Sequence, residues 1–373
     1  MCASVWGANL LTLRGKWPGY RRGPAQAIAV SGNTAYVAAG EGGLQVIDIA
    51  DPAHPQRVGW YATNWLARGV GVSGNYAYVA ALGARLQVID ITNPADPRPC
   101  AECENDHLPF AYGVAVTRDY AYVAGSGLQV IDITDPANPQ WVGGYETNWL
   151  GENVAVSGDY AYVTAGFDGL QVINVADPAS PQRVGGYAAS GSDGVTVSGN
   201  YLYLTAASYG LHVFDLADPA KPRWAGGYIS IGYARGVAVS RNYAYLVNSD
   251  GLEVIDVTNP ARPQRVGVNR DVFEASAVVV SGDAVCVAAG YDGLAIYDRY
   301  RRPARFEPPP RLDAAGCHLF FRADAGETIH LQRTLDLKSW DDWMTVTATG
   351  ISQEVLDESA DSGSCRFYRA MIP

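Results

Sequence analysis

The sequence predicts an all-β fold: a seven-bladed β-propeller of four-stranded antiparallel blades, with a small β-sandwich at the C-terminus. Three observations carry that expectation. They are a sevenfold internal repeat, a turn-rich composition poor in charge, and a last repeat whose missing strand the N-terminus can supply. Leu44 begins LQVIDIADPAHPQRVGWY, and related segments begin at Leu86, Leu128, Leu170, Leu211, Leu252 and, in degenerate form, Leu294. The aligned residues Asp48, Asp90, Asp132, Asn174, Asp215, Asp256 and Asp298 lie 41 or 42 residues apart. A fixed period of that length marks a repeat architecture in which each copy is one supersecondary unit.

Each copy contains four strand-like runs. The first is short and branched, as in Val154–Val156, and the turn Ser157-Gly158-Asp159 leads to the second, Tyr160–Val163. The LQVID run is the third, its apolar alternation suited to a two-faced strand. An Asp-Pro or Asn-Pro turn (Asp51-Pro52, Asn93-Pro94, Asp135-Pro136, Asp177-Pro178, Asp218-Pro219, Asn259-Pro260) then leads to the fourth, PQRVGGY. Asp and Asn open such turns by accepting backbone N–H bonds, and Pro pre-sets φ. Four antiparallel strands in roughly 40 residues make one propeller blade. Copy seven stops after its third strand, at Asp298. The segment Arg14–Tyr20 resembles QRVGGY and precedes the first inner strand at Ile28, so residues near 11–20 are expected to complete blade seven and cover two open sheet edges.

Composition agrees. The 373 residues carry 41 Gly, 21 Pro and 23 Tyr but only 17% charged side chains, which suits strands and turns. A net charge of −11 argues against nucleic acid and against an anionic membrane surface, both of which need a basic footprint. No run approaches the length of about 18 apolar residues that a spanning helix requires. The opening MCASVWGANLLTLRGKW has no basic n-region before an apolar core and does not read as a signal peptide.

The recurring L-Q-V-I-D-[IV]-[AT]-[DN]-P-A-x-P-Q motif resembles the LVIVD repeat family over about residues 26–300. The resemblance implies a propeller and a secreted or cell-surface setting, and it brings no common catalytic residues. The organisation expected is therefore a propeller over 1–300, a proline-rich linker over 301–310 (RRPARFEPPP), and a β-rich domain over 311–373. In the last of these, Cys317–Arg322, Thr328–Gln332, Met344–Ala348, Glu354–Asp357 and Arg366–Met371 read as strands. Cys317 and Cys365 flank that domain, either bridged or as two thiols. Its ending resembles the C-terminal modules that close many secreted proteins of environmental bacteria, which implies an accessory or attachment role.

An up-and-down blade places the first-to-second and third-to-fourth turns on one face of the disc. The second-to-third turns and the blade-to-blade connectors share the other. The first face is uniform and the second carries all the irregular sequence, which is where binding on a rigid scaffold is expected. The residues just before each inner strand are Gln26, Arg68, Tyr112, Glu152, Asp193, Arg235 and Ser276. They are expected to ring the mouth of the axial channel. Two readings follow: a salt-bridge plug, or a polar ligand site whose arginines and carboxylates are its hydrogen-bonding groups. Trp65 and Trp149, in a repeated Thr-Asn-Trp-Leu, add either aromatic platforms for a ligand or packing over neighbouring blades. The connector Cys100–Tyr112 is expected to be the longest, with Asp106, His107 and Phe110 in it, and Tyr233 and Phe273 share its face.

No nucleophile elbow, P-loop or dinucleotide fingerprint is present. Cys100-Ala101-Glu102-Cys103 has the spacing of half a zinc knuckle but no second pair, so no metal and no cofactor are expected. Glu152 and Asp193 are the one acid pair placed for glycosidase or lyase work. The function expected is recognition of a protein or glycan by a monomeric, non-catalytic propeller. The alternative is a propeller hydrolase or lyase acting on a polar or carbohydrate substrate through Glu152 and Asp193.

Overall fold

The computed structural model describes residues 11–19, 23–83, 85–104, 110–301, 305–313, 315–336, 338–350, 352–360 and 367–371. Every regular element among them is a strand, and the chain divides into two compact units, one spanning Leu11–Arg299 and the other containing Tyr300–Pro373.

Leu11–Arg299 holds seven antiparallel sheets, numbered here one to seven along the chain. Their first strands are Ala27–Ser31, Ala67–Ser73, Ala111–Val116, Asn153–Ser157, Ser192–Ser198, Ala234–Ser240 and Ala277–Ser281. Each packs beside the first strands of the two neighbouring sheets, and the seventh packs beside the first, so the cycle closes. Second and third strands alternate buried apolar residues toward both neighbours, as in Ala35–Ala38 and in Leu44, Val46 and Ile47. One continuous apolar layer joins each pair of successive sheets from one to six, and another joins sheets one and seven. In sheet three the second and third strands merge into one run, Tyr120–Asp132, because only Gly125-Ser126-Gly127 separates them.

The Asp48 series has the structural role that its place before a turn implies. Asp48, Asp90, Asp132, Asn174, Asp215 and Asp256 each accept the backbone N–H two residues on, at 2.8–2.9 Å. The Asp or Asn before each proline repeats the device at 3.0–3.2 Å. Two Asx turns in series fix every third-to-fourth connection.

Leu13–Trp17 supplies the outer strand of sheet seven, pairing antiparallel with Leu294–Asp298. Trp17 is buried against Ile47, Cys286, Leu294 and Ile296, so this strand is anchored by side-chain packing as well as by its ladder.

Two sequence expectations change. Arg98–Glu104 is the outer strand of sheet two, so the connector that follows is shorter than the span from Cys100 to Tyr112. Cys100 sits at a bulge opposite Val88 and Ile89, Cys103 is buried in the core, and both are free thiols. Asp106 and His107 lie outside the described residues.

The 301–310 linker is also corrected, since Arg305–Asp313 is a strand paired with Gly316–Arg322. The register skips from Glu307 to Arg311, across Pro308–Pro310. Proline has no N–H for the ladder, and an edge strand with a bulge is where a sheet tolerates it. Tyr300–Pro373 holds two three-stranded sheets. One is ordered Arg305–Asp313, Gly316–Arg322, Gln353–Asp357, and the other Asp341–Thr347, Thr328–Thr334, Phe367–Met371. A single core of Cys317, Leu319, Phe321, Ile329, Leu331 and Tyr368 draws on both. Tyr368 donates to the buried Asp357 at 3.0 Å, and Arg333 pairs with the same carboxylate at 2.8 Å. Cys365 lies outside the described residues.

Replacing Trp17 by Ala tests the closure. Loss of this buried side chain should cost about 3–5 kcal/mol, read as a lower midpoint in chemical denaturation. A variant that melts like wild type would mean that the N-terminal strand does not hold the ring.

Candidate functional site

The seven residues aligned before the inner strands come together. Gln26, Arg68, Tyr112, Glu152, Asp193, Arg235 and Ser276 all line one cavity of about 570 Å3, whose deeper wall is formed by inner-strand residues such as Ile28, Val70, Val195 and Val237. That volume falls in the range of small-molecule sites, roughly 300–1,000 Å3.

The backbone presents the seven in two ways. Gln26, Glu152 and Ser276 directly precede their strands, and each donates its N–H to the second strand of its own sheet at 2.7–2.9 Å. Arg68, Tyr112, Asp193 and Arg235 instead sit at β-bulges, where the register of the inner strand slips. A bulge adds a residue to one strand and re-aims its side chain. Each bulged residue is followed by glycine: Gly69, Gly113, Gly194 and Gly236. A Cβ at these glycines would collide with the backbone of the next sheet's ring residue, namely Tyr112, Glu152, Arg235 and Ser276. The missing side chain lets successive ring residues crowd together at the axis.

Two buried threonines fix the acidic side of the ring. Thr164 Oγ1 accepts the Asn153 N–H at 2.9 Å and donates to the Asp193 carbonyl of the next sheet at 2.5 Å. Thr205 Oγ1 accepts the Gly194 N–H at 2.7 Å and donates to the Arg235 carbonyl at 2.8 Å. The five equivalent positions in the other copies are Ala38, Ala80, Ala124, Val247 and Ala288.

The charges do not cancel as a plug would require. Arg235 Nη2 pairs with Glu274 Oε2 at 2.6 Å rather than with a ring acid. Glu274 itself adopts a left-handed backbone, φ 50°, and its N–H is donated to the Ser249 carbonyl at 3.2 Å. Arg68 Nη1 donates to Gln26 Oε1 at 3.2 Å, and its guanidinium lies 5.7 Å from the Tyr112 ring centre. Phe110 stacks on Tyr112 at 6.5 Å between ring centres. Among the described residues, neither Glu152 nor Asp193 has a side-chain hydrogen bond or ion pair.

Enclosure of the Asp193 carboxyl group raises its pKa to about 7. The nearby Glu152 charge pushes in the same direction, and Arg235 and Arg68 pull back without overcoming it. Glu152 is open to cavity water yet flanked by protein, and this partial desolvation raises its pKa as well, with Arg68 opposing.

Trp65 and Trp149 are not part of the cavity wall. Trp65 lies over Gly83, where a Cβ would strike its indole. Trp149 is half-buried against the core between sheets three and four, within the strand Gln140–Leu150. Thr63 and Thr147 donate to the Trp65 and Trp149 carbonyls at 2.6 and 3.0 Å, so the same hydroxyl-to-carbonyl contact recurs although the second tetrapeptide is part of a strand. Glu274, Thr164 and Thr205 are the site residues that the sequence reading missed. The two threonines were visible as departures from Ala or Val at one repeat position.

An all-β ring of antiparallel sheets around an axial cavity is a β-propeller, and solved propellers superpose on it. The computationally designed Ika8 protein covers 77% of this chain and 99% of its own at TM-score 0.59 and 14% identity. The Neurospora crassa Pan2 WD40 domain covers 79% and 97% at 0.62 and 14%. The β-propeller domain of Cps50 (Swd1) from Myceliophteria thermophila covers 77% and 99% at 0.60 and 13%. The particular family is given by sequence: LVIVD repeats match residues 22–63, 66–103, 110–147, 151–189, 190–229 and 231–269, and the chain belongs to the LVIVD repeat family. No curated protein matches it in sequence.

Two substitutions test the site's construction. Gly194→Ala should destabilise by roughly 1–3 kcal/mol, since its methyl group would meet the Arg235 backbone; an unchanged denaturation midpoint would contradict the crowding. Asp193→Asn tests the charge. A carboxyl group whose folded pKa is raised binds its proton more tightly folded than unfolded, so stability falls as pH rises from about 4 to about 7. The wild-type melting temperature should therefore decline toward neutral pH relative to that of Asp193→Asn. Parallel pH profiles would show that Asp193 is not desolvated.

Proposed function

We propose that this protein is a non-catalytic recognition module: a seven-bladed propeller, carrying a small C-terminal β-sandwich, that binds a protein or glycan over the axial cavity. The observation that carries the reading is the cavity itself. Seven blade-specific polar residues converge on open space, and among the described residues its two carboxylates have no hydrogen bond or ion pair, with Arg68 and Arg235 acting on them only from a distance. A structural plug would fill the space or pair the charges, because a buried uncompensated charge is costly.

The surrounding surface supports a macromolecular ligand. Among the described residues of Leu11–Arg299, the large apolar side chains at least 60% exposed are Phe167, Tyr209, Ile229, Tyr233, Phe273 and Tyr291. All six lie on second-to-third turns or blade-to-blade connectors of sheets four to seven, on the same face as the cavity mouth. Exposed aromatic and apolar groups gathered around a polar cavity are characteristic of interaction sites. The LVIVD resemblance supports placing the protein at the cell surface or in secreted form, and the proposal takes it to act as a monomer with the C-terminal domain as attachment.

A second reading draws on one further observation. The Asp193 carboxyl group keeps its proton to about pH 7, as a general acid must, and Glu152 beside it would be the second carboxylate of a hydrolase or lyase.

Peptide and glycan arrays probed with the intact chain beside Arg68→Ala and Phe273→Ala test recognition. Each variant should lose about tenfold or more in affinity for whatever binds. A ligand held equally well by both would remove the site from this face. Turnover of an arrayed glycan, lost in Asp193→Asn, would favour the enzyme.

A further inference from the structure

The charges around the cavity define what is missing from it. Five charged side chains belong to the site: Arg68, Arg235, Glu152, Asp193 and Glu274. Arg235 and Glu274 form a closed pair at 2.6 Å. Arg68 is steered by Gln26 and by the Tyr112 ring. Glu152 and Asp193, on successive sheets, face the same space with no partner among the described residues. The Asp193 side chain is partly buried in the cavity wall, and its backbone is pinned on both sides by Thr164 and Thr205. A carboxylate built so firmly into a cavity wall and left unanswered calls for a positive counterpart.

We propose that the cavity binds a protonated primary amine, seated between the carboxylates of Glu152 and Asp193. The assignment rests on the recognition reading above and names the chemistry of its ligand. An ammonium is compact and offers three N–H donors, enough for two carboxylates and a carbonyl or water. An anion would have only Arg68 left to greet it and would meet both carboxylates at close range. A hard divalent cation would need about six oxygen ligands, whereas among the described residues no group of three or more His, Cys, Asp or Glu could hold a metal ion. The amine belongs either to a small free molecule or to a lysine side chain of a polypeptide lying across Phe167, Tyr209, Tyr233 and Phe273.

Seating the ammonium has a proton consequence. The groups facing Asp193 are Glu152, Arg68 and Arg235. Near neutral pH the Asp193 site is about half protonated, and an incoming cation favours its carboxylate. The displaced proton leaves to solvent, so binding releases about half a proton at pH 7.

Isothermal titration calorimetry of the intact chain, in two buffers of different ionisation enthalpy, tests this. The probes are 1,5-diaminopentane, a terminally blocked Gly-Lys-Gly peptide, and the same peptide acetylated on its lysine. Binding of an amine with proton release, absence of binding by the acetylated peptide, and affinity lowered about tenfold or more in both Asp193→Asn and Glu152→Gln are expected. Asp193→Asn removes an uncompensated charge and should remain folded, and Glu152→Gln keeps the measurement independent of that variant. Stronger binding of the peptide, weakened by Tyr233→Ala, assigns the amine to a polypeptide; stronger binding of the diamine assigns it to a small molecule. Failure of both amines at millimolar concentration, or amine binding unchanged in both variants, overturns the proposal. If amines fail while an arrayed ligand still binds in an Arg68-dependent way, recognition stands and only the amine falls. If neither class binds, both readings fall together.

Discussion

Crowding at the axis is the constraint on which the rest of this propeller depends. Seven inner strands must bring their entry points together around one narrow space, and side chains cannot be stacked there indefinitely. The chain meets this limit with glycine. Gly69, Gly113, Gly194 and Gly236 each occupy a position where a methyl group would strike the next sheet's backbone. With those four methyl groups absent, the preceding residues can bulge out of register and turn toward the channel. The cavity, its polar mouth and its two bare carboxylates all follow from that local solution.

Much of the fold was legible because the repeat is a physical unit. A blade cannot bury its two apolar faces alone, so each copy must carry the same alternation and the same Asx turns. The strand borrowed from the N-terminus was readable for a similar reason, since copy seven visibly lacks PQRVGGY. The ring of seven residues was found by alignment alone. What escaped was whatever depends on three-dimensional neighbours rather than on the repeat. Glu274 reaches Arg235 from another sheet's connector, and no spacing announces that. For Trp65 and Trp149 the sequence left platform and packing open, and only their neighbours, Gly83 and the core between sheets three and four, favour packing. The 301–310 segment read as a linker because four prolines dominate it, yet a bulged edge strand accommodates Pro308–Pro310.

The acidic arc of the ring is also its most carefully braced part. Threonine replaces the repeat's Ala or Val only in sheets four and five, and there it ties the second strand of one sheet to the entry residue of the next. Each buried hydroxyl satisfies a donor and an acceptor. A buried polar contact of this kind contributes only about 1 kcal/mol net, so its chief effect is to hold Asp193 and Arg235 in place. Desolvated acid on a fixed backbone is unfavourable for the free protein and useful to a protein with something to bind.

The shared construction of sheet seven bears on how the molecule comes into being. Its outer strand, Leu13–Trp17, leaves the ribosome before the rest of the ring, while the partner Leu294–Asp298 follows hundreds of residues later. Six sheets can assemble as they emerge, but the arc stays open until the last repeat arrives. During that interval both ends of the arc present unpaired backbone, and the N-terminal segment has no strand to join. The ring around the axial cavity is therefore complete only once Leu13–Trp17 meets Leu294–Asp298.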